Sequence, residues 1–319
     1  MSDTLKRILW TLGPLVLLLI LDTWLIPGFW KMQSRDGRLV GIPIDILFYG
    51  SRVMLLSIGM TLVIATNGVD LSVGSVMAMA AAVATVMANA GTPIPVAVLV
   101  AIVVAIVAGA FNEALVAFFG VQPIVATLVL MVSGRGIAQI IAKQPILNFE
   151  GNGLGLKWFG GTIAGLPTPI ILVAIMLVLV WLLTRRTALG LMIEAIGDSP
   201  KAARMVGLPV RIVIGLTYVI VGICAALAGM VDSALVTAAD SYNSGLYMEL
   251  DAILSVVIGG TLLTGGRFYL VGSLLGALLI QTLTTTLLLK DVSPNLLTLP
   301  KAILVVVVCL LQSPIFRRS

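Results

Sequence analysis

The sequence contains no histidine, only two cysteines and little charge: 10% of its 319 residues are Asp, Glu, Lys or Arg, against roughly a quarter in an ordinary soluble domain. The missing histidine removes the commonest general base and any HExxH zinc site. That argues against catalysis and leaves a carboxylate mechanism through Asp70 or Asp251 as the enzymatic alternative. Cys224 and Cys309 both fall inside apolar runs, where a thiol packs as a small hydrophobe, so neither a disulfide nor a metal site is expected. No GxxxxGK[ST] phosphate loop occurs, so the chain is not expected to be an ATPase itself.

What the sequence has in abundance is apolar length. Hydrophobic residues make up 60% of the chain and recur in runs near the ~20 residues that a helix needs to cross a bilayer. Backbone polar groups in lipid must be satisfied internally, which only helices and closed barrels achieve; continuous runs without period-two alternation choose helices. The fold class read from this pattern is all-α and polytopic, with about ten membrane spans near 8–26, 45–66, 73–90, 95–118, 123–142, 168–184, 211–234, 249–264, 268–289 and 296–313. The first run follows Lys6 and Arg7, is longer than a signal-peptide core and lacks a small-residue cleavage site, so it is expected to remain as the first span. The polar interruptions are too short for a separate soluble domain, and residues 1–319 are expected to form one transmembrane domain.

An even number of spans puts both termini on one side. Lys6, Arg7, Arg317 and Arg318 share that side with the loop 185–210 and its flank, which carries Arg185, Arg186, Lys201, Arg204 and Arg211 against Glu194 and Asp198. The positive-inside rule makes this side cytoplasmic, with Lys31, Arg35 and Arg38 beside Asp36 as the opposing charges. Two segments, Ile64 to Met79 and Ile258 to Leu275, share an apolar run, a Gly-rich interruption and a Val-Gly-Ser that opens the next run. Such interrupted pairs point to a transport pathway, although short helix turns favour Gly and Ser in any case.

The stretch from Ile64 to Ser75 places Asn67, Asp70 and Ser72 between two spans and reads as a helix break. Asn67-Gly68 is a turn signal, and Asp70 or Ser72 can cap the following helix. A carboxylate at membrane depth must face protein or a hydrated cavity, so Asp70 is either a cap or a pathway group. Asn112 and Glu113 close the fourth span. Arg135, between Gly134 and Gly136, falls near the middle of the fifth run and is expected either to pair with a carboxylate, for which Asp70 and Glu113 are the candidates, or to line a hydrated cavity. The loop from Leu189 to Gly207 holds a short amphipathic helix: Ser199 as N-cap, Pro200 in its first turn, and Gly207 as its stop. Its small residues permit a close partner, and its Lys201 and Arg204 equally suit lipid headgroups.

These residues resemble the permeases of ABC importers for ribose, arabinose, galactose, galactofuranose and related sugars. The likeness rests on the Asn67 to Ser75 break, Gln122-Pro123-Ile124-Val125-Ala126-Thr127-Leu128, Gly134-Arg135-Gly136, Thr187 to Gly190 leading to Glu194-Ala195-Ile196-Gly197, and Gly259-Gly260 through Gly265-Gly266-Arg267. Pro43 to Leu47, Arg135 to Gln139 and Glu249 to Leu254 are most similar to the galactofuranose type. Asn67 and Thr261-Leu262-Leu263 depart from a glycine and a Gly-Ser-rich stretch found in many members.

The resemblance implies a multi-pass permease of the bacterial inner membrane, with both termini cytoplasmic. Its expected partners are a separate ABC ATPase carrying ATP and Mg, a second permease, identical or paralogous, and an extracytoplasmic sugar-binding protein. Membrane lipid surrounds it, no nucleic acid is expected, and no catalytic residue, metal or cofactor is expected on the chain itself. A pathway or gate is expected from Asn67, Asp70, Ser72, Glu113, Arg135 and Gln281. Coupling to the ATPase is expected from Glu194, Ala195, Gly197, Asp198, Ala202, Ala203 and Gly207. The competing readings are an ion-coupled secondary transporter with Asp70, Glu113 and Arg135 as its relay, and a membrane-embedded carboxylate enzyme.

Overall fold

A computed structural model describes the backbone of residues 3–35 and 38–312. Asp36, Arg317 and Arg318, and the side chains of Lys6, Arg7, Arg35, Arg38 and Cys309, lie outside the described residues. The helices are α1 (Asp3–Leu25), α2 (Ile42–Ala65), α3 (Val73–Asn89), α4 (Ile94–Glu113, continued by a π-helical turn Ala114–Phe118), α5 (Pro123–Ala142) and α6 (Thr168–Arg186). They continue with α7 (Leu189–Asp198), α8 (Pro200–Met205), α9 (Val210–Val236), α10 (Met248–Ile258), α11 (Leu270–Leu289) and α12 (Thr298–Gln312). Among the described residues six helices are long and apolar enough to cross a membrane, while Leu12–Leu25 and α3 are shorter apolar helices. Pro43, Pro95, Pro123, Pro169 and Pro200 each stand in the first turn of a helix, where the absent N–H costs nothing and the fixed φ favours helical entry.

Each apolar run has its helix, with one difference of length. The run 249–264 yields only the 11-residue α10, about 16 Å at the helical rise and half of a hydrocarbon core. Gly259-Gly260 ends the helix, with Gly260 at φ +88.

The bundle has two ends, fixed by backbone contacts. At the proximal end the Gly266 N–H donates to the Ala65 carbonyl (2.9 Å). At the distal end Asn89 Nδ2 donates to the Asn148 carbonyl (2.8 Å) and the Glu150 N–H to Asn89 Oδ1 (3.0 Å). The two Gly-rich interruptions, after α2 and after α10, therefore turn at the same end and lie against each other. Among the described residues there are three two-stranded ladders; one of them pairs Ile146–Asn148 with Ala238–Asp240, Leu147 opposite Ala239.

α2 runs through the centre and is buried almost throughout from Gly50 to Ala65, packed by α9, α11, α10 and α6. α9 also packs on α3 and α4, and α4 presents a buried stripe of Ala97, Ala101, Ala105 and Ala108. Small residues of this kind let helix backbones approach closely where lipid offers no hydrophobic driving force. Cys224, on α9, is buried in the same core.

Candidate functional site

Two of the polar clusters among the described residues lie at breaks between helices of this apolar bundle. The first is the break after α2. Asn67 takes a left-handed backbone (φ 62), the Gly68 N–H returns to the Val63 carbonyl, and the chain turns inward so that Asp70 is only 2% exposed. Asp70 Oδ1 accepts hydrogen bonds from the Ser72 N–H (2.8 Å) and Ser72 Oγ (2.6 Å), the turn by which an Asx side chain satisfies backbone two residues on. Asn112, arriving from α4, donates Nδ2 to Ser72 Oγ (2.9 Å) and more weakly to Asp70 Oδ1 (3.5 Å). Thr127 Oγ1 from α5 donates to the Val69 carbonyl (3.3 Å). Asn112 Oδ1 and the hydroxyl of Tyr218 are buried here without a hydrogen-bond partner among the described residues.

The second centre hangs on the turn between α9 and α10. Asp240, placed by its strand register, accepts the N–H groups of Tyr242 (2.9 Å) and Asn243 (2.8 Å) and so folds the turn. The turn drops between helices until Gly245 passes Gly74 of α3 backbone to backbone: a Cβ on Gly74 would stand 2.2 Å from the Gly245 carbonyl oxygen, so neither position accepts a side chain. Ser244 Oγ donates to Asp232 Oδ2 (2.6 Å), and Asp232 is ion-paired with Arg52 of α2. Arg135 of α5 donates to the Ser244 carbonyl, with Glu249 and Asp240 as its nearby opposite charges. Arginines from α2 and α5 thus hold one turn from two sides.

The proximal end carries α7 and α8. Ser199 Oγ accepts from the Ala202 N–H (3.3 Å) as the N-cap of α8, and Gly207 at φ +83 ends it. Ile193, Ile196, Gly197 and Ala203 turn inward, while Leu191, Ala195, Asp198, Ala202, Met205, Val206 and Gly207 are exposed.

Residues 42–310 match the family described as the permease component of branched-chain amino acid transport systems. The chain belongs to this permease family. It is 49% identical over 98% of its length to the galactofuranose transporter permease protein of Escherichia coli (strain K12), covering 92% of that protein. It is 38% identical over 97% of its length to the fructose import permease protein of Bifidobacterium longum (strain NCC 2705), covering 88% of it. It is 35% identical over 94% of its length to the ribose import permease protein of Escherichia coli (strain K12), covering 91% of it.

Within the permease, the residues singled out in the sequence do not form one site. Asp70 and Ser72 meet in the first centre, and Asn67 stands at its rim against Gly265. Glu113 packs over Gly215 of α9. Arg135 belongs to the second centre, and neither Asp70 nor Glu113 is among the partners found for it. Its real neighbours come from a turn whose descent into the bundle no hydropathy run reveals. Gln281 donates Nε2 to Thr285 Oγ1 (3.2 Å) and lines a cavity beside α2. Among the coupling residues, Glu194 is half-buried, Gly197 and Ala203 face their own chain, and Ala195, Asp198, Ala202 and Gly207 face outward. Sequence reasoning passed over Arg52, Asp232, Ser244 and Tyr218. Arg52 and Asp232 carried a signal, since each is a charge inside an apolar run.

Proposed function

We propose that this chain is the membrane-spanning permease subunit of an ATP-driven importer that carries a monosaccharide, galactofuranose or a related pentose or hexose, across the bacterial inner membrane. The observation that carries this reading is the 49% identity, over 98% of the chain, to a permease named for galactofuranose. The family description names branched-chain amino acids, but the three relatives above are named for sugars, and the cavity between α2 and α11, whose described lining cations are both ion-paired, favours a sugar. Residues 1–319 act as one permease unit, with both termini and the loop 185–210 on the cytoplasmic side. ATP and Mg belong to a separate ATPase subunit, a second permease completes the pathway, and an extracytoplasmic binding protein delivers cargo to the distal end.

The geometry supports a direct route from the ATPase to the bundle. Exposed residues of α7 and α8 receive the partner; Gly197 of α7 bears on the end of α2 and on Gly266; and α2 carries Arg52, one of the two arginines that hold the turn 241–247. Movement at the proximal end therefore has a packed path to the pathway side chains, and packed elements switch between discrete arrangements rather than bend. An ion relay through Asp70, Glu113 and Arg135 has no such geometry, since these residues sit in separate places.

The test is uptake by vesicles reconstituted with the permease, its ATPase and its binding protein. Labelled galactofuranose, ribose and fructose should enter only with ATP inside and with all components present. Entry that persists without the ATPase and collapses with an ion gradient would overturn the reading in favour of a secondary transporter.

A further inference from the structure

Asp45, Tyr49 and Arg52 recur on α2 at the spacing that places side chains on one helix face. Opposite them, Gln281 and Thr285 stand one turn apart on α11, and together these side chains line a cavity of about 390 Å³, within the ~300–1,000 Å³ of small-molecule sites. Asp251 and Lys301 close another wall as an ion pair (2.7 Å).

The hydrogen-bonding capacity left over in this wall is specific. Arg52 directs Nε to the Tyr49 carbonyl (3.3 Å) and Nη1 to Asp232, which leaves Nη2 as a donor. Gln281 uses one N–H on Thr285 Oγ1 and keeps the other N–H and its carbonyl oxygen. The Asp45 carboxylate has no partner among the described side chains. Tyr49, packed edge-on against Phe48 (5.3 Å between ring centroids), leaves 44% of its surface open.

The charges decide which cargo this wall fits. Arg52 is neutralised by Asp232 and Lys301 by Asp251, so among the described residues that line the cavity no unpaired cation remains to hold an anionic or zwitterionic carboxylate. A free carboxylate, an amide, a guanidinium edge and an aromatic plane instead suit a neutral polyol. Its hydroxyls donate to Asp45 and accept from Arg52 and Gln281, and its C–H face lies on Tyr49.

We propose that the cavity between α2 and α11 is a saccharide subsite on the transport path, in which Asp45, Tyr49 and Gln281 hold one neutral sugar ring. This inference rests on the import reading above. Its test is uptake of labelled galactofuranose, ribose and fructose by cells expressing the complete importer, with membrane level and ATPase co-purification recorded for every variant. Asp45→Asn and Tyr49→Leu should each reduce uptake of the transported sugar roughly ten-fold or more. If Asp45→Asn reaches the membrane poorly, Tyr49→Leu at the half-open position carries the test. Parental import of a sugar together with parental rates for both variants would overturn the subsite alone. No import of any of the three sugars by the parent would overturn the import reading, and the subsite with it.

Discussion

Gly197 of α7 stands directly against Ala65, the last residue of α2: a Cβ on Gly197 would lie 1.9 Å from the Ala65 carbonyl oxygen and 2.2 Å from the Gly266 nitrogen. The same carbonyl already accepts the Gly266 N–H at 2.9 Å. Backbone from α7, from α2 and from the loop after α10 is therefore in contact with no side chain between. Contact of this kind has little slack, because the interior is close-packed and a shift of one element displaces its neighbours.

Gly197→Ala should accordingly destabilise the permease by about 1–3 kcal/mol, the usual cost of forcing an extra methyl into a packed seam. Thermal unfolding of the detergent-purified protein measures the stability, and ATP-driven uptake reports whether transmission through α7 survives. Parental behaviour in both assays would show a loose seam and remove it from the route between ATPase and pathway.

Arg135 provides a second test, because its neighbours differ from those its sequence position suggests. Arg135→Ala leaves the Ser244 carbonyl without its donor and Glu249 without a nearby cation. Both side chains are half-buried, so the expected loss is roughly 1–3 kcal/mol, below that of a fully buried pair. In a double-mutant cycle Glu249→Gln should recover part of this loss, whereas Asp70→Asn should add independently. Strict additivity with Glu249→Gln would exclude the pairing; coupling to Asp70→Asn would contradict the geometry.

The parts of this structure that were legible in the sequence are those governed by local physics. Apolar length located the helices, and Ser199-Pro200 with Gly207 delimited α8 because a cap and a left-handed stop are local devices. Asn67-Gly68 announced the break for the same reason. The partners in each polar centre were not legible: Asn112 reaches Asp70 from α4, and Asp232 reaches Arg52 across the α2–α9 contact, both products of tertiary packing. The short α10 was hidden because a hydropathy window runs on through Gly259-Gly260, while the turn 241–247 is too polar to register as part of a span.

The outward face of α7 and α8 yields the last prediction, and the structure changes which residues should be tested. Ala203 is 4% exposed and packs on its own chain, whereas Met205 and Val206 are 82% and 77% exposed. Ala202 and Met205 face outward from α8 beside Lys201 and Arg204. A lipid-surface helix would tolerate another arginine near anionic headgroups, but a protein groove fitted to a small residue and an apolar one would not. Ala202→Arg and Met205→Arg should therefore insert at parental level yet lose ATPase co-purification and sugar uptake together. Ala203→Arg should behave differently, lowering the thermal stability of the isolated permease because its bulk enters the contact between α8 and α9. Retained ATPase binding and uptake in Ala202→Arg and Met205→Arg would assign this face to lipid and take α8 out of the coupling path.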